Sequence, residues 1–208
     1  MSPSDDSRCP VCATPLRDGR RQDQGARAYF DCPRCGLFGL MRPAEFTLPS
    51  LLTNPRRASV LSYAIRRTPP RGRDTTLFDA ETCKKIIEQD FLPTPQEQAE
   101  NLIRWLGANL PGPGEIVRID FAEHGAILGA QSPDGFHFVV RGLIASGLLE
   151  GAHLLGPFQP SDVTLTFAGW EQFEELRRGT PSGRWPSSRK VARKPTASAT
   201  PTAPVIPI

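Results

Sequence analysis

No run of 18 apolar residues occurs in the 208-residue chain, and this excludes a transmembrane helix. The opening stretch "MSPSDDSRCP" has no apolar segment, which predicts no signal peptide and a cytoplasmic address, where thiols stay reduced. The five cysteines are an odd number, which argues against a disulfide framework. Catalytic signatures are equally scarce. His124, His137 and His153 are scattered, with no H-E-x-x-H spacing, no G-x-S-x-G elbow and no phosphate-cradling glycine loop. His137, in "FHFVV", reads as a packed or surface histidine. The expectation is a protein that is not an enzyme.

What the chain does have is backbone punctuation and uneven charge. Its 22 prolines and 18 glycines predict many breaks and at least one unfolded stretch, within one or two small domains. The net charge of +3 is distributed in blocks. Residues 1–79 carry 13 Lys/Arg against 8 Asp/Glu, residues 80–180 carry 7 against 14, and residues 181–208 carry 5 against none. These differences govern partner choice more than the total does.

The strongest motif lies near the start. Cys9, Cys12, Cys32 and Cys35 follow the pattern C-x2-C-x19-C-x2-C, the spacing of a structural zinc site. Two residues between cysteines let a tight turn aim both sulfurs at one point. In Cys32-Pro33-Arg34-Cys35-Gly36, Pro33 fixes a backbone angle and Gly36 can take a positive φ after the second ligand. The first pair repeats the proline but has Ala13 where the glycine would sit. The dipeptide "DG" at 18–19 and "DQG" at 23–25 signal turns, and "ARAYFDC" reads as a strand entering the second pair. Residues 8–42 resemble a zinc ribbon. Four thiolates around one Zn2+ leave no open coordination position, so the metal is expected to be structural, with folding and binding a single event. Iron in a rubredoxin-like site shares this ligand set. The thiolates carry excess negative charge, which Arg8, Arg17, Arg20, Arg21, Arg27 and Arg34 are close enough in sequence to offset. Cys83 reads as an ordinary helix residue.

Downstream, Asn54 caps a helix that Pro55 opens, with Ala58, Leu61, Ala64 and Ile65 on one apolar face. Asp79 caps a short helix through Ile86–Ile87. "TPQE" at 94–97 forms a capping box for a helix whose Ala99, Leu102, Ile103, Leu106 and Leu110 keep the helical period until "PGPG" stops it. "EIVRID" reads as a strand and "FAEHGAILGA" as a helix. In the next segment Ser132 caps, Pro133 leads and Gly151 ends. "DVTLTFAGWEQFEELRRG" gives a strand and then a helix capped by Thr166 and stopped by Gly179. This order makes residues 93–180 resemble a winged-helix domain. The predicted fold class is α+β: a zinc ribbon over 1–42, a helical connector over 43–92 and a mainly helical winged-helix-like domain over 93–180. The Pro/Ser/Thr-rich basic tail over 181–208 is expected to be disordered.

The ribbon, "RRASVLSYAIRR", "PTPQEQAENLIRWLG" and "LTFAGWEQFEELRRG" together are similar to an N-terminal module of some bacterial proteins. There the module precedes a TIR-like or nucleoside-deoxyribosyltransferase-like effector, in a presumed antiphage or stress-response setting. The resemblance covers residues 8–184 and implies a recognition role. From "TPSGR" onward this sequence departs from the effector pattern, so a catalytic role has no residues to attach to. The expectation is a protein-interaction or sensing module with a protein partner or effector and no membrane partner. The alternative is a DNA- or RNA-binding regulator. Its candidate contacts are Arg56, Arg57, Arg66, Arg67, Arg71, Arg73, Arg141, Arg189, Lys190, Arg193 and Lys194. Charge opposes this alternative, because residues 93–180 hold 5 basic against 11 acidic residues, a poor surface for a phosphate backbone.

Overall fold

Alternation along "RAYFDC" places Ala28, Phe30 and Cys32 on one face of strand β2 (Arg27–Cys32), all buried. The computed structural model is mixed α+β and describes residues 7–68, 75–151 and 160–179. A tight turn at Gly25, with φ of +61°, joins β2 to β1 (Arg21–Gln24), and β3 (Gly36–Met41) pairs on the other side. Phe30 lies opposite Phe38, and their rings stack at 5.3 Å. A fourth strand, β4 (Leu77–Phe78), adds in parallel to β3.

Three helices cover the inner face of this sheet. Helix α2 (Pro55–Arg67) starts where expected, with the Asn54 side chain accepting from the Arg57 amide. Helix α3 (Ala80–Gln89) starts at Asp79, which accepts from Thr82. Side-chain caps of this kind are each worth about 1 kcal/mol. Helix α1 (Arg42–Leu51) was not legible in the sequence. Met41 precedes it without a capping side chain, and Pro49 interrupts its interior. Its tertiary contacts hold it: Ala44 and Leu48 are buried, and Arg21 Nη1 reaches Glu45 at 2.8 Å. One apolar cluster runs from Cys9 to Ile87, so the segment between ribbon and second half shares the ribbon's core.

The second half has its own core. Helix α4 (Pro95–Asn109) carries the complete Thr94–Glu97 capping box, and the predicted Ala99, Leu102, Ile103, Leu106 and Leu110 are buried. Strand β5 (Val117–Ile119), helix α5 (Phe121–Leu128) and helix α6 (Pro133–Ala145) follow, capped by Asp120 and Ser132. Helix α6 ends at Ala145, earlier than the sequence reading, because Leu149–Gly151 leaves as strand β6 to pair with β7 (Ser161–Leu165). The antiparallel sheet has the order β5-β7-β6. Helix α7 (Phe167–Arg177) closes the half, with Thr166 accepting from the Gly169 amide. Among the described residues no helix is long and apolar enough to cross a membrane.

The helix α2 face is wider than its aliphatic pattern predicted. Leu61 and Ile65 join the first core, while Ser59, Val60 and Tyr63 are also buried. The reason is position, since α2 packs against α5 as well.

Gly169 marks the tightest approach in the second half. A Cβ there would collide with the Leu148 carbonyl oxygen and come within 2.9 Å of Leu165 Cδ2. Gly169→Ala should therefore cost about 1–3 kcal/mol, because the oxygen belongs to backbone that cannot swing aside. Gly112→Ala, where a Cβ meets nothing within 4 Å, should stay within about 0.5 kcal/mol. Thermal melts followed by circular dichroism check the pair, and equal melting temperatures would refute the packing argument.

Candidate metal centre

The two cysteine pairs converge. The Cys9–Cys12 turn is closed by the Ala13 amide donating to the Cys9 carbonyl at 2.9 Å, and Ala13 takes a φ of +58°. An alanine occupies the left-handed conformation that the second turn gives to Gly36, at φ +86°. In the second turn the Cys35 amide donates to Cys32 Sγ at 3.3 Å, softening thiolate charge. All four Sγ atoms lie within 4.8 Å of one another. Cys9–Cys35, Cys12–Cys32 and Cys12–Cys35 are separated by 3.7, 3.5 and 3.5 Å. A disulfide needs about 2.05 Å, so none of these is a bond, and the cysteines are free. With zinc–sulfur distances of about 2.3 Å, the edge of a tetrahedron is about 3.8 Å. The cluster has the size and donor chemistry to hold one zinc ion.

Burial pushes Cys9 and Cys35 up from the ordinary thiol value, while hydrogen bonds from Cys32 and Cys35 draw Cys12 down. Four adjacent thiolates without a cation repel one another, so protons remain in the cluster. A divalent cation displaces them, and affinity then rises with pH. Cys83 takes no part. It is fully buried in α3, and burial pushes its thiol up to about 11.

Three residues around the cluster carried no signal in the cysteine spacing. Ser62 Oγ lies 3.2 Å from Cys35 Sγ, and Thr14 Oγ1 lies 3.3 Å from Cys12 Sγ. Arg66 supplies the nearby cation, interacting electrostatically with Cys35 and Cys32, while burial lowers its pKa from the usual arginine value. Its Nη1 would sit 3.2 Å from a Cβ at Gly36, so that glycine serves both the turn and the guanidinium. Ser62 and Arg66 stand one helical turn apart on α2, which is the pattern that could have revealed them.

Four of the six arginines expected to offset the thiolates have other partners. Arg8 donates to the Ala13 carbonyl, Arg20 pairs with Asp18, and Arg21 pairs with Asp23 and Glu45. Arg34 turns away from the cluster, its Cζ 4.2 Å from the centre of the Phe121 ring.

Several of the candidate nucleic-acid residues on α2 are engaged within the chain. Arg56 grips the Asp90 carboxylate at 2.8 and 3.0 Å, and Arg57 donates to Leu51 O and Thr53 Oγ1. Arg67 donates to the Tyr63 hydroxyl at 2.7 Å. Arg141 is exposed on α6. Arg71, Arg73, Arg189, Lys190, Arg193 and Lys194, together with His153 and the expected disordered tail, lie outside the described residues. His137 is buried against Phe136. His124 packs edge-on against Trp105 at 4.6 Å, and burial lowers its pKa. Both are core histidines.

No family model, curated protein or solved structure matches this chain. The functional reading therefore rests on the site itself.

Ser62→Ala should weaken zinc retention by roughly tenfold, the lower end of what a lost hydrogen bond to a metal ligand costs. Competition against a chromophoric chelator measures it, and an unchanged affinity would remove Ser62 from the site.

Proposed function

We propose that this chain is a non-enzymatic, zinc-stabilised recognition module that engages a protein partner, as the sensing component of a bacterial defence or regulatory system. The observation that carries it is the four-thiolate cluster at tetrahedral spacing. Such a shell has no position left for substrate, so zinc serves structure and not chemistry. The second half supports a contact role. Its order of helix, strand, two helices, two strands and helix, with β7 between β5 and β6, supports a winged-helix reading. Helix α6, which would enter a major groove in a DNA-binding member, buries Phe136, Val140 and Leu143 and exposes Asp134, Phe138 and Arg141. One cation, one anion and an aromatic 64% exposed suit a protein surface better than a phosphate backbone. The effector-linked module that the sequence resembles adds the defence setting.

A second reading, nucleic-acid binding, is favoured by one feature outside α6. Beside the first sheet lies a groove whose lining includes Arg20, Arg27 and Tyr29, together with Asp31 and Asp79. An aromatic with flanking arginines is the arrangement that stacks bases of a single strand.

Purified protein should contain one zinc per chain by elemental analysis. Iron with a red colour, or no metal, would sink the proposed site. Fluorescence anisotropy separates the two readings of binding. Any affinity of the full chain for oligonucleotides should be weak and should fall with log salt at about 0.7–0.9 per phosphate neutralised. Arg141→Ala should leave it unchanged, and Arg27→Ala should reduce it. Tight, sequence-selective duplex binding abolished by Arg141→Ala would make the nucleic-acid reading the better one.

A further inference from the structure

The two apolar clusters are separate, yet Val60, Tyr63 and Ala126 are buried and belong to neither. They sit where α2 meets α5. Polar pins cross the same seam. Ser59 Oγ donates to the Gln131 carbonyl at 3.4 Å, and Asn101 Nδ2 donates to the Tyr63 hydroxyl at 3.3 Å. Gly129, at φ +79°, lets the chain pass so close to Pro93 and Tyr63 that a Cβ would come within 2.5 and 3.0 Å of them.

The remaining pin comes from the metal turn. Arg34, between the ligands Cys32 and Cys35, is 8% exposed. Its guanidinium covers the Phe121 ring at 4.2 Å, and its Nη2 reaches the Ala130 carbonyl at 3.4 Å. Nε is buried without a hydrogen-bond partner. A surface arginine would keep that N–H in water, so the desolvation is tolerated in exchange for the contact with the second half. The residue is poorly placed to move by itself, because each of its flanking cysteines is a candidate metal ligand.

We propose that the metal turn is the clasp between the two halves. With the cation bound, Cys32 and Cys35 fix the backbone on both sides of Arg34 and hold its guanidinium on Phe121 and Ala130. Loss of the metal frees the turn and with it the seam at residues 121–131. Metal occupancy thus sets how the second half, with its exposed α6 face, is presented to a partner. This rests on the zinc reading above.

Hydrogen exchange of the full chain, read by mass spectrometry, tests the clasp in three states: zinc-loaded, chelator-treated, and zinc-loaded Arg34→Ala. Chelation should raise exchange at residues 121–131 as well as at 32–36. Chelation alone could act by unfolding the first half, so the variant is the decisive arm. Arg34→Ala keeps all four thiols and should retain one zinc per chain, with α4 as protected as in the parent. Residues 121–131 should nevertheless exchange roughly tenfold faster, the scale of a desolvated cation–π contact. Arg34→Lys, which keeps the charge without the planar group, should fall between the two. If zinc binds and is removed while residues 121–131 keep their protection, the clasp is wrong and the zinc site stands. If zinc never binds, both are overturned.

Discussion

Four sulfur atoms that repel one another when ionised are brought within 4.8 Å by two tight turns. That arrangement is stable only when something positive sits among them or when protons remain. Burial makes the conflict sharper for Cys9 and Cys35, whose ionised forms would be left in a poorly solvated site. A single divalent cation resolves it for all four thiols at once. The first half is organised around that requirement. The amide of Cys35 and the hydroxyls of Ser62 and Thr14 point at sulfur, and Arg66 brings a guanidinium to the same side. These partners come from the second cysteine turn, the loop after the first and α2, so closing the metal shell would also fix how α2 lies against the sheet.

The apolar core around the cluster is larger than the ribbon segment alone suggested. Phe30, Phe38 and Leu40 face Leu48 of α1, Leu61 of α2 and Ile87 of α3 within one cluster. The metal therefore does not have to hold a bare loop. Bound there, it would complete the end of a core that the helices share, and the helices bury Cys9, Cys32 and Cys35. This coupling explains why Ser62 and Arg66, on an element outside the ribbon, belong to the site.

Legibility followed local chemistry. Among the described residues, six of the seven α-helices start at a side chain that accepts from a backbone amide, at Asn54, Asp79, Thr94, Asp120, Ser132 and Thr166, and all of these caps but Asp120 were read from the sequence. The exception is α1, whose Met41 cannot cap and whose interior Pro49 argues against a helix. It exists because Ala44, Leu48 and Glu45 have partners on the sheet and in the core, which no local pattern records. The four cysteines were legible because two-residue gaps are themselves geometry. The arginines were not, because a guanidinium reaches far and its partner is chosen by the fold. Sequence proximity assigned Arg34 to the thiolates, whereas the structure sends it to Phe121 and gives Arg66 that role. The clustered Arg56, Arg57 and Arg67 looked like a basic face, and their partners Asp90, Leu51 and Tyr63 neutralise or occupy them.

Charge and packing together constrain what the second half can present. Residues 93–180 hold 5 basic against 11 acidic residues, and α6 spends most of its apolar residues on its own core. What α6 has left at the surface is small, and a small patch discriminates between partners only if it is held in a defined direction. The seam supplies that direction through contacts that depend on angle: a hydroxyl on a carbonyl, an amide on a phenol, and a guanidinium over a ring. Apolar area alone would permit the halves to slide against each other, since it is non-directional. The residue with the most geometric constraint in that set is Arg34, because its backbone is pinned on both sides by cysteines of the metal cluster. In the proposed clasp, the thiolate site and the exposed face of α6 act as one mechanical unit, even though they belong to different cores.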